Sequence, residues 1–203
     1  MSKLTVGIVD YGIGNHASVR HCLHQLDLRC RVSDDPAVLG QSDLLLLPGV
    51  GAFRPSMQAL QAAQLDQFLI TQAGDGKPLL GICLGMQLLT DGSHEDGRTA
   101  GLGLIPGEAV PFGSLKWHIG WNTIEAASDD PLFEQSIGQA FYFNHSFAYA
   151  GPREYHACVT KLDDSFASVI RRDKIVGLQF HPEKSQAAGH ALLKQLIEGM
   201  CDA

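Results

Sequence analysis

Pro78-Leu79-Leu80-Gly81-Ile82-Cys83-Leu84-Gly85-Met86-Gln87 is the stretch on which the reading of this chain turns. Its first half is a short apolar run opened by proline, the pattern of a strand buried on both faces. Its second half predicts a helix starting just after Cys83. The spacing G-x-C-x-G matches a nucleophile elbow, with sulfur in place of the serine oxygen. Glycines on both sides let neighbouring backbone pass closely. The helix start aims free amides and a positive dipole end at the sulfur, and the amide of Leu84 stands next along to donate to an oxyanion. A lone cysteine in an apolar strand is more often a small core residue, so Cys83 by itself decides nothing.

Working outward, the first ninety residues alternate strand and helix. Residues 4–10 and 43–47 read as further buried strands, each ending in a glycine-rich turn, and 29–33 as another. Asn15 or a neighbour caps a helix carrying Val19, Cys22, Leu23 and Leu26 at helical spacing. Met57, Leu60, Leu65, Phe68 and Leu69 mark one further helical segment. This alternation predicts an α/β fold with a mostly parallel central sheet and helices on both faces. The second half changes character. Residues 108–112, 122–125, 140–143, 155–160, 166–171 and 175–180 read as strands, several joined by short turns. They imply an added mixed or antiparallel section, closed by a helix over 185–200. No linker interrupts the chain, so residues 1–203 read as a single domain.

Composition narrows the function classes. A 203-residue chain with 45% hydrophobic residues can bury roughly 70% of its unfolded surface and needs no metal or disulfide staple. Its net charge of −7 comes with no basic block, which argues against nucleic-acid binding. No apolar stretch approaches the ~20 residues that span a bilayer, and Met1-Ser2-Lys3-Leu4 does not open a secretory signal. A cytoplasmic protein with no membrane contact is expected. The five cysteines are odd in number and lack metal-ligand spacing, so free thiols and no metal or other cofactor are expected.

Gln179-Phe180-His181-Pro182-Glu183 supplies the second chemical element. At a strand end, residues two apart point to one side. Glu183 can then hold the His181 imidazole in the tautomer that presents its other nitrogen to Cys83. Alone, His-Pro-Glu reads as a surface turn; beside a cysteine elbow it completes nucleophile, base and orienting carboxylate. Pro48-Gly49-Val50-Gly51-Ala52-Phe53 can bring backbone amides to an anionic centre, although an ordinary glycine-rich turn explains its spacing equally.

Taken together and in this chain order, Gly-Ile-Cys-Leu-Gly-Met-Gln, Pro-Gly-Val-Gly and Gln-Phe-His-Pro-Glu-Lys-Ser resemble the class I glutamine amidotransferases. Within them the likeness is nearest to the glutaminase subunits of imidazole glycerol phosphate synthases, through Pro-Gly-Val-Gly-Ala-Phe and His118-Ile119-Gly120-Trp121-Asn122. The resemblance spans the whole chain. It implies a thioester mechanism on Cys83 with His181 and Glu183. It puts Gly51 and Leu84 at the oxyanion, and Gln87, Ser146 and Phe147 at the amino-acid end of glutamine. It also implies a heterodimer in which ammonia passes to a cyclase subunit, a (β/α)₈ barrel. There it helps form imidazole glycerol phosphate and aminoimidazole carboxamide ribotide for histidine biosynthesis.

Asn15, Trp121 and Lys184 lie in stretches that face the partner in similar proteins. Plainer readings stand beside these: Trp121 as a core aromatic, Lys184 as a solvated helix start. His118 and His145 read as packing or hydrogen-bonding residues. Two departures are visible. Trp117, in Leu115-Lys116-Trp117-His118, replaces the proline usual before that histidine, and Asn144 stands where an apolar residue is more common. The first leaves room for a paralogous glutaminase that feeds a cyclase-like partner in nitrogen-sugar biosynthesis.

Overall fold

The computed structural model describes residues 3–113, 117–163 and 165–202. Four strands carry the N-terminal half: β1 (Thr5–Val9), β2 (Arg29–Ser33), β3 (Leu44–Leu47) and β4 (Leu79–Ile82). They pair in parallel in the order β2-β1-β3-β4. Side chains alternate across a strand, so Ile8, Leu46 and Leu80 enter one apolar cluster, while Val9, Leu45 and Leu79 enter another on the opposite face. A sheet covered on both sides demands this continuous hydrophobicity.

Helices α1 (His16–Gln25), α2 (Pro36–Leu39), α3 (Phe53–Ala62), α4 (Leu65–Gly74), α5 (Leu84–Leu88) and α6 (Gln186–Asp202) provide the cover. Val19 and Leu23 of α1 pack on the first face with Leu192 and Leu196 of α6. Phe53, Leu60, Leu69 and Met86, from α3, α4 and α5, pack on the second. The helical segment expected between Met57 and Leu69 is in fact two helices. Gln64 adopts φ +56° between them, a left-handed conformation no helix continues through.

The second half contributes β5 (Thr90–Ser93), β6 (Thr99–Ala100), β7 (Ile105–Pro111), β8 (His118–Thr123), β9 (Glu125–Ala126), β10 (Ala140–His145), β11 (Phe147–Ala150), β12 (His156–Lys161), β13 (Ser165–Arg172) and β14 (Ile175–Leu178). The main sheet runs β2-β1-β3-β4-β14-β13-β12-β9. Here β14 continues the parallel set beside β4, and the last three strands are antiparallel. A four-stranded sheet, β11-β7-β5-β6, and an antiparallel ribbon of β8 with β10 complete the mixed section. The α/β architecture with helices on both faces is therefore as expected. Strands β5, β6 and β11 were not expected: Thr90-Asp91-Gly92-Ser93 has the composition of a turn, and β11 is too short to show a period of its own. Leu115 and Lys116, the start of the segment that departs at Trp117, lie outside the described residues.

The pairing of β14 with β4 sets the site. Leu178 stands opposite Ile82, so two segments almost a hundred residues apart end level at one edge of the sheet. The C-terminal end of β3 meets the same edge, with Leu47 opposite Gly81. Loops outside the carboxyl ends of parallel strands are where open α/β sheets bind ligands.

Candidate active site

Cys83 sits at φ +53°, ψ −109°, a conformation that costs a non-glycine residue on the order of 1–3 kcal/mol. Three close approaches hold it there. A Cβ on Gly85 would lie 2.0 Å from the Leu47 carbonyl oxygen, one on Gly81 2.7 Å from the Gly85 carbonyl, and one on Gly49 2.5 Å from the Gly85 nitrogen. Strand β4, helix α5 and the loop after β3 are thus in backbone contact, which any side chain would prevent. The Cys83 amide donates to the Leu178 carbonyl at 2.7 Å. Cys83 is also the N-cap of α5, so the first-turn amides of that helix lie on its side without intrahelical acceptors.

His181 follows β14. Its amide donates to the Tyr142 carbonyl at 2.8 Å, and the Ser185 hydroxyl donates to its carbonyl at 2.6 Å. Its Nδ1 pairs with Glu183 Oε1 at 2.9 Å, with both side chains 3% exposed or less. The expectation that the two share a strand face needs correction. The strand ends at Leu178, and a 3-10 turn over Pro182–Lys184 brings the carboxylate round to the imidazole. Pro182 cannot donate to a ladder and fits the first position of such a turn. Burial disfavours the charged imidazole, yet hydrogen bonds to Cys83 and Glu183 and their negative charge outweigh it, holding His181 up at about 9. The sulfur and the carboxylate on either side thus both favour the protonated ring.

A cavity of about 240 Å³ opens on Cys83. It falls below the ~300–1,000 Å³ usual for drug-sized ligands, a size suited to one amino acid. Gly51, Leu84, Gln87, Ser146 and Phe147 all line it with Cys83 and His181. Gly51 lies at φ +94° with open space where a Cβ would be, so its conformation rather than its room selects glycine. The Tyr11 hydroxyl donates to the Pro48 carbonyl at 2.8 Å and steadies that loop. Gln87 Nε2 donates to the Phe147 carbonyl at 3.2 Å.

Glu95 also lines the cavity and escaped the sequence reading. Its Oε2 accepts the Phe53 amide at the start of α3, at 2.7 Å. It sits in the polar run Gly92-Ser93-His94-Glu95-Asp96, which carries no local signal for a site. Asn144 has a plain explanation. It faces outward from β10, exposed between the buried Phe143 and His145, so a polar side chain there costs nothing, and its carbonyl accepts from Cys83 Sγ at 3.7 Å. Among the described residues no cluster of His, Cys, Asp and Glu could hold a metal ion, and no helix is long and apolar enough to cross a membrane.

The residues expected at a partner face divide. Asn15 caps α1, accepting the Ser18 amide at 3.4 Å. Trp121 is 47% exposed, so it is no core aromatic. Ile119 and Trp117, at 60% and 63% exposure, stand near it in the chain, and Lys184 is exposed at the cavity rim.

A thiol at a helix start, beside a buried histidine–carboxylate pair, is equipped for acyl transfer from an amide. The family model of class-I glutamine amidotransferases matches residues 7–199, and the chain belongs to that family. Imidazole glycerol phosphate synthase subunit HisH of Lacticaseibacillus casei (strain BL23) is 45% identical over 195 residues, spanning 94% of each chain. The subunit of the same name from Symbiobacterium thermophilum is 44% identical over 200 residues, spanning 96% of this chain and 94% of that one. The chain thus groups with the glutaminase subunits of this synthase, and their name implies a further subunit in the complex. Among solved structures, PurLQS from Thermotoga maritima superposes with a TM-score of 0.78 at 18% identity, over 98% of this chain and 99% of that one. A glutamine amidotransferase from the same organism gives 0.72 at 17% identity over the whole of both chains. These two share the fold.

Proposed function

We propose that Cys83, His181 and Glu183 hydrolyse the side-chain amide of L-glutamine, and that the ammonia passes to a cyclase subunit within a heterodimer. The observation that carries this reading is the buried line of sulfur, imidazole and carboxylate at an amino-acid-sized cavity. Cys83 Sγ, as thiolate, attacks the amide carbon. The His181 imidazolium gives its proton to the departing nitrogen, and ammonia leaves a γ-glutamyl thioester. His181, now neutral, takes a proton from water as it attacks the thioester. The Cys83 thiolate leaves, the new carboxylic acid loses its proton to solvent, and glutamate departs with the thiolate and imidazolium restored. Glu183 holds the ring throughout by its Nδ1. The amides of Leu84 and Gly51 are suited to the oxyanion formed in each half.

Gln87, Ser146 and Phe147 would hold the amino-acid end of glutamine. Among the described residues that line the cavity, Glu95 carries the carboxylate suited to its ammonium group. The partner would be a (β/α)₈ barrel seated against Asn15, Trp121 and Lys184, and Trp117, Ile119 and Trp121 offer the aromatic and aliphatic anchors that interfaces favour. In the barrel, ammonia would enter the synthesis of imidazole glycerol phosphate and aminoimidazole carboxamide ribotide. The whole of residues 1–203 serves as one amidotransferase domain, in the reducing cytoplasm where a catalytic thiol stays free.

The test is glutamate release from glutamine by the purified chain, alone and with the histidine-pathway cyclase and its nucleotide substrate. Little release alone and a large increase in the full mixture are expected. Cys83→Ala should abolish glutamine use while synthesis from added ammonia survives. Turnover retained by Cys83→Ala would overturn the nucleophile assignment. No increase with that cyclase, from a chain still alkylated at Cys83 by a glutamine-like electrophile, would favour the nitrogen-sugar partner.

A further inference from the structure

Two histidines stand outside this chemistry, and both are buried. His118 and His145, opposite each other across the β8–β10 ribbon, are 5% and 6% exposed. Phe112, Phe143 and Phe166 surround them, with ring centroids 4.7–5.9 Å away. Polar rings in an aromatic cage are costly unless their nitrogens are paired. All four nitrogens are. Asn122 Nδ2 lies 2.7 Å from His118 Nε2, His118 Nδ1 2.9 Å from His145 Nε2, and His145 Nδ1 2.8 Å from the Phe147 carbonyl.

The two ends of this chain assign every proton. The Asn122 amide nitrogen can only donate, and the Phe147 carbonyl can only accept. Each imidazole is therefore neutral with its proton on Nδ1, and the donors all run one way, from Asn122 to Phe147. Burial pushes His145 down to about 4 and lowers His118 as well, and the charge on His181 further disfavours a proton on His145. The chain holds this polarity across the physiological range.

Its endpoint is a cavity wall. The Phe147 carbonyl accepts from His145 on one side and from Gln87 Nε2 on another, while the Ser146 carbonyl accepts the Phe112 amide at 2.9 Å. Two successive peptide carbonyls, those of Ser146 and Phe147, are thus both held. Without the His145 donor, the Phe147 carbonyl would be left with the Gln87 Nε2 bond, and Gln87 Nε2 with that bond and a longer one to Gln179 Oε1 at 3.5 Å, so both groups would be held less firmly.

Resting on the glutaminase reading above, we propose that His145, aligned by His118 and Asn122, is a positioning residue for substrate. By holding the Phe147 carbonyl it fixes Gln87 and the backbone at 146–147 where the α-amino-acid end of glutamine binds. It leaves the reactivity of Cys83 alone.

The test compares two reagents on the full chain. The glutamine-like 6-diazo-5-oxo-L-norleucine must occupy the cavity before Cys83 displaces its dinitrogen. Iodoacetamide needs only the thiolate. His145→Phe preserves the aromatic packing and removes both hydrogen bonds. One hydrogen bond of ordinary net worth lost from binding raises the half-saturating diazo ketone concentration about tenfold, with the iodoacetamide rate unchanged. His145→Asn, whose amide nitrogen can replace Nδ1, should restore wild-type saturation. Should His145→Phe not fold, Asn122→Leu at a half-buried position reads the same chain from its far end, with about a threefold rise expected for a weakened hydrogen bond. Unchanged saturation in the variant that folds, or an equal loss with iodoacetamide, overturns the proposal. Wild-type Cys83 that reacts with iodoacetamide yet never saturably with the diazo ketone overturns the glutaminase reading itself.

Discussion

The elbow between β4 and α5 and the ribbon of β8 with β10 both reach the same cavity, and they are built on opposite terms. At the elbow every residue from Leu79 to Leu89 is buried, and glycines bring backbone against backbone, so Cys83 keeps a strained conformation it would otherwise leave. On the ribbon burial alternates. His118, Phe143 and His145 face in, while Ile119, Trp121 and Asn144 face out. The nucleophile rests on the part with nowhere to move. Cavity-lining backbone and exposed apolar side chains rest on two faces of a ribbon that can accept change on its outer side.

This contrast can be broken most severely at Gly85. Gly85→Ala places a Cβ against the Leu47 carbonyl oxygen, which only a shift of the elbow relieves. Overpacking of this kind is expected to cost about 3 kcal/mol in urea unfolding, and misplacing the sulfur about 100-fold in glutamine hydrolysis. Ile119→Ser, on the outer face of the ribbon, is expected to stay within about 0.5 kcal/mol of wild type. Equal costs at the two positions would remove the distinction.

The second prediction concerns charge at the elbow's mouth. His181 has a folded pKa of about 9, above the ~6.5 of an unfolded histidine. Its contribution to stability is then complete below pH ~6.5 and disappears as pH rises through its folded value, a loss of up to about 3 kcal/mol. Urea midpoints measured between pH 6 and 10 should fall for the wild type and flatten in Glu183→Gln, where the imidazolium has lost its carboxylate. Parallel slopes in the two proteins would mean that Glu183 does not hold the ring's charge.

The smallest effect belongs to the ribbon's outer face. Trp121→Ala should leave unfolding within about 0.5 kcal/mol of wild type, and weaken binding of the cyclase subunit about tenfold or more by calorimetry. Unchanged affinity would place the partner elsewhere on the molecule.

Much of this was legible in the sequence, for reasons that differ by region. Strands buried on both faces must be apolar at every position, so 43–47 and 78–82 announced themselves, and Gly81 and Gly85 marked a close approach. Asn15 was readable as a cap because the helix that follows leaves its first amides unpaired. Strand β11, Phe147-Ala148-Tyr149-Ala150, was not, being too short to show a period of its own, and neither were β5 and β6, since short polar or glycine-bearing strands share their composition with turns. Glu95 was invisible for the same reason: its place at the cavity comes from a sheet edge that its neighbours do not predict. The break at Gln64 was missed because apolar spacing continues across it.

The sequence by itself determined the α/β alternation, the elbow and the His-Pro-Glu segment, because these depend on residue type and spacing within a few turns of chain. Only the tertiary structure decided that β14 lies beside β4 and brings His181 to Cys83. Only it showed that a 3-10 turn, rather than a strand face, delivers Glu183, and that His118 and His145 share one line of hydrogen bonds ending at the cavity. Each of these is a meeting of segments far apart in sequence, set by sheet pairing and burial, on which local patterning carries no information.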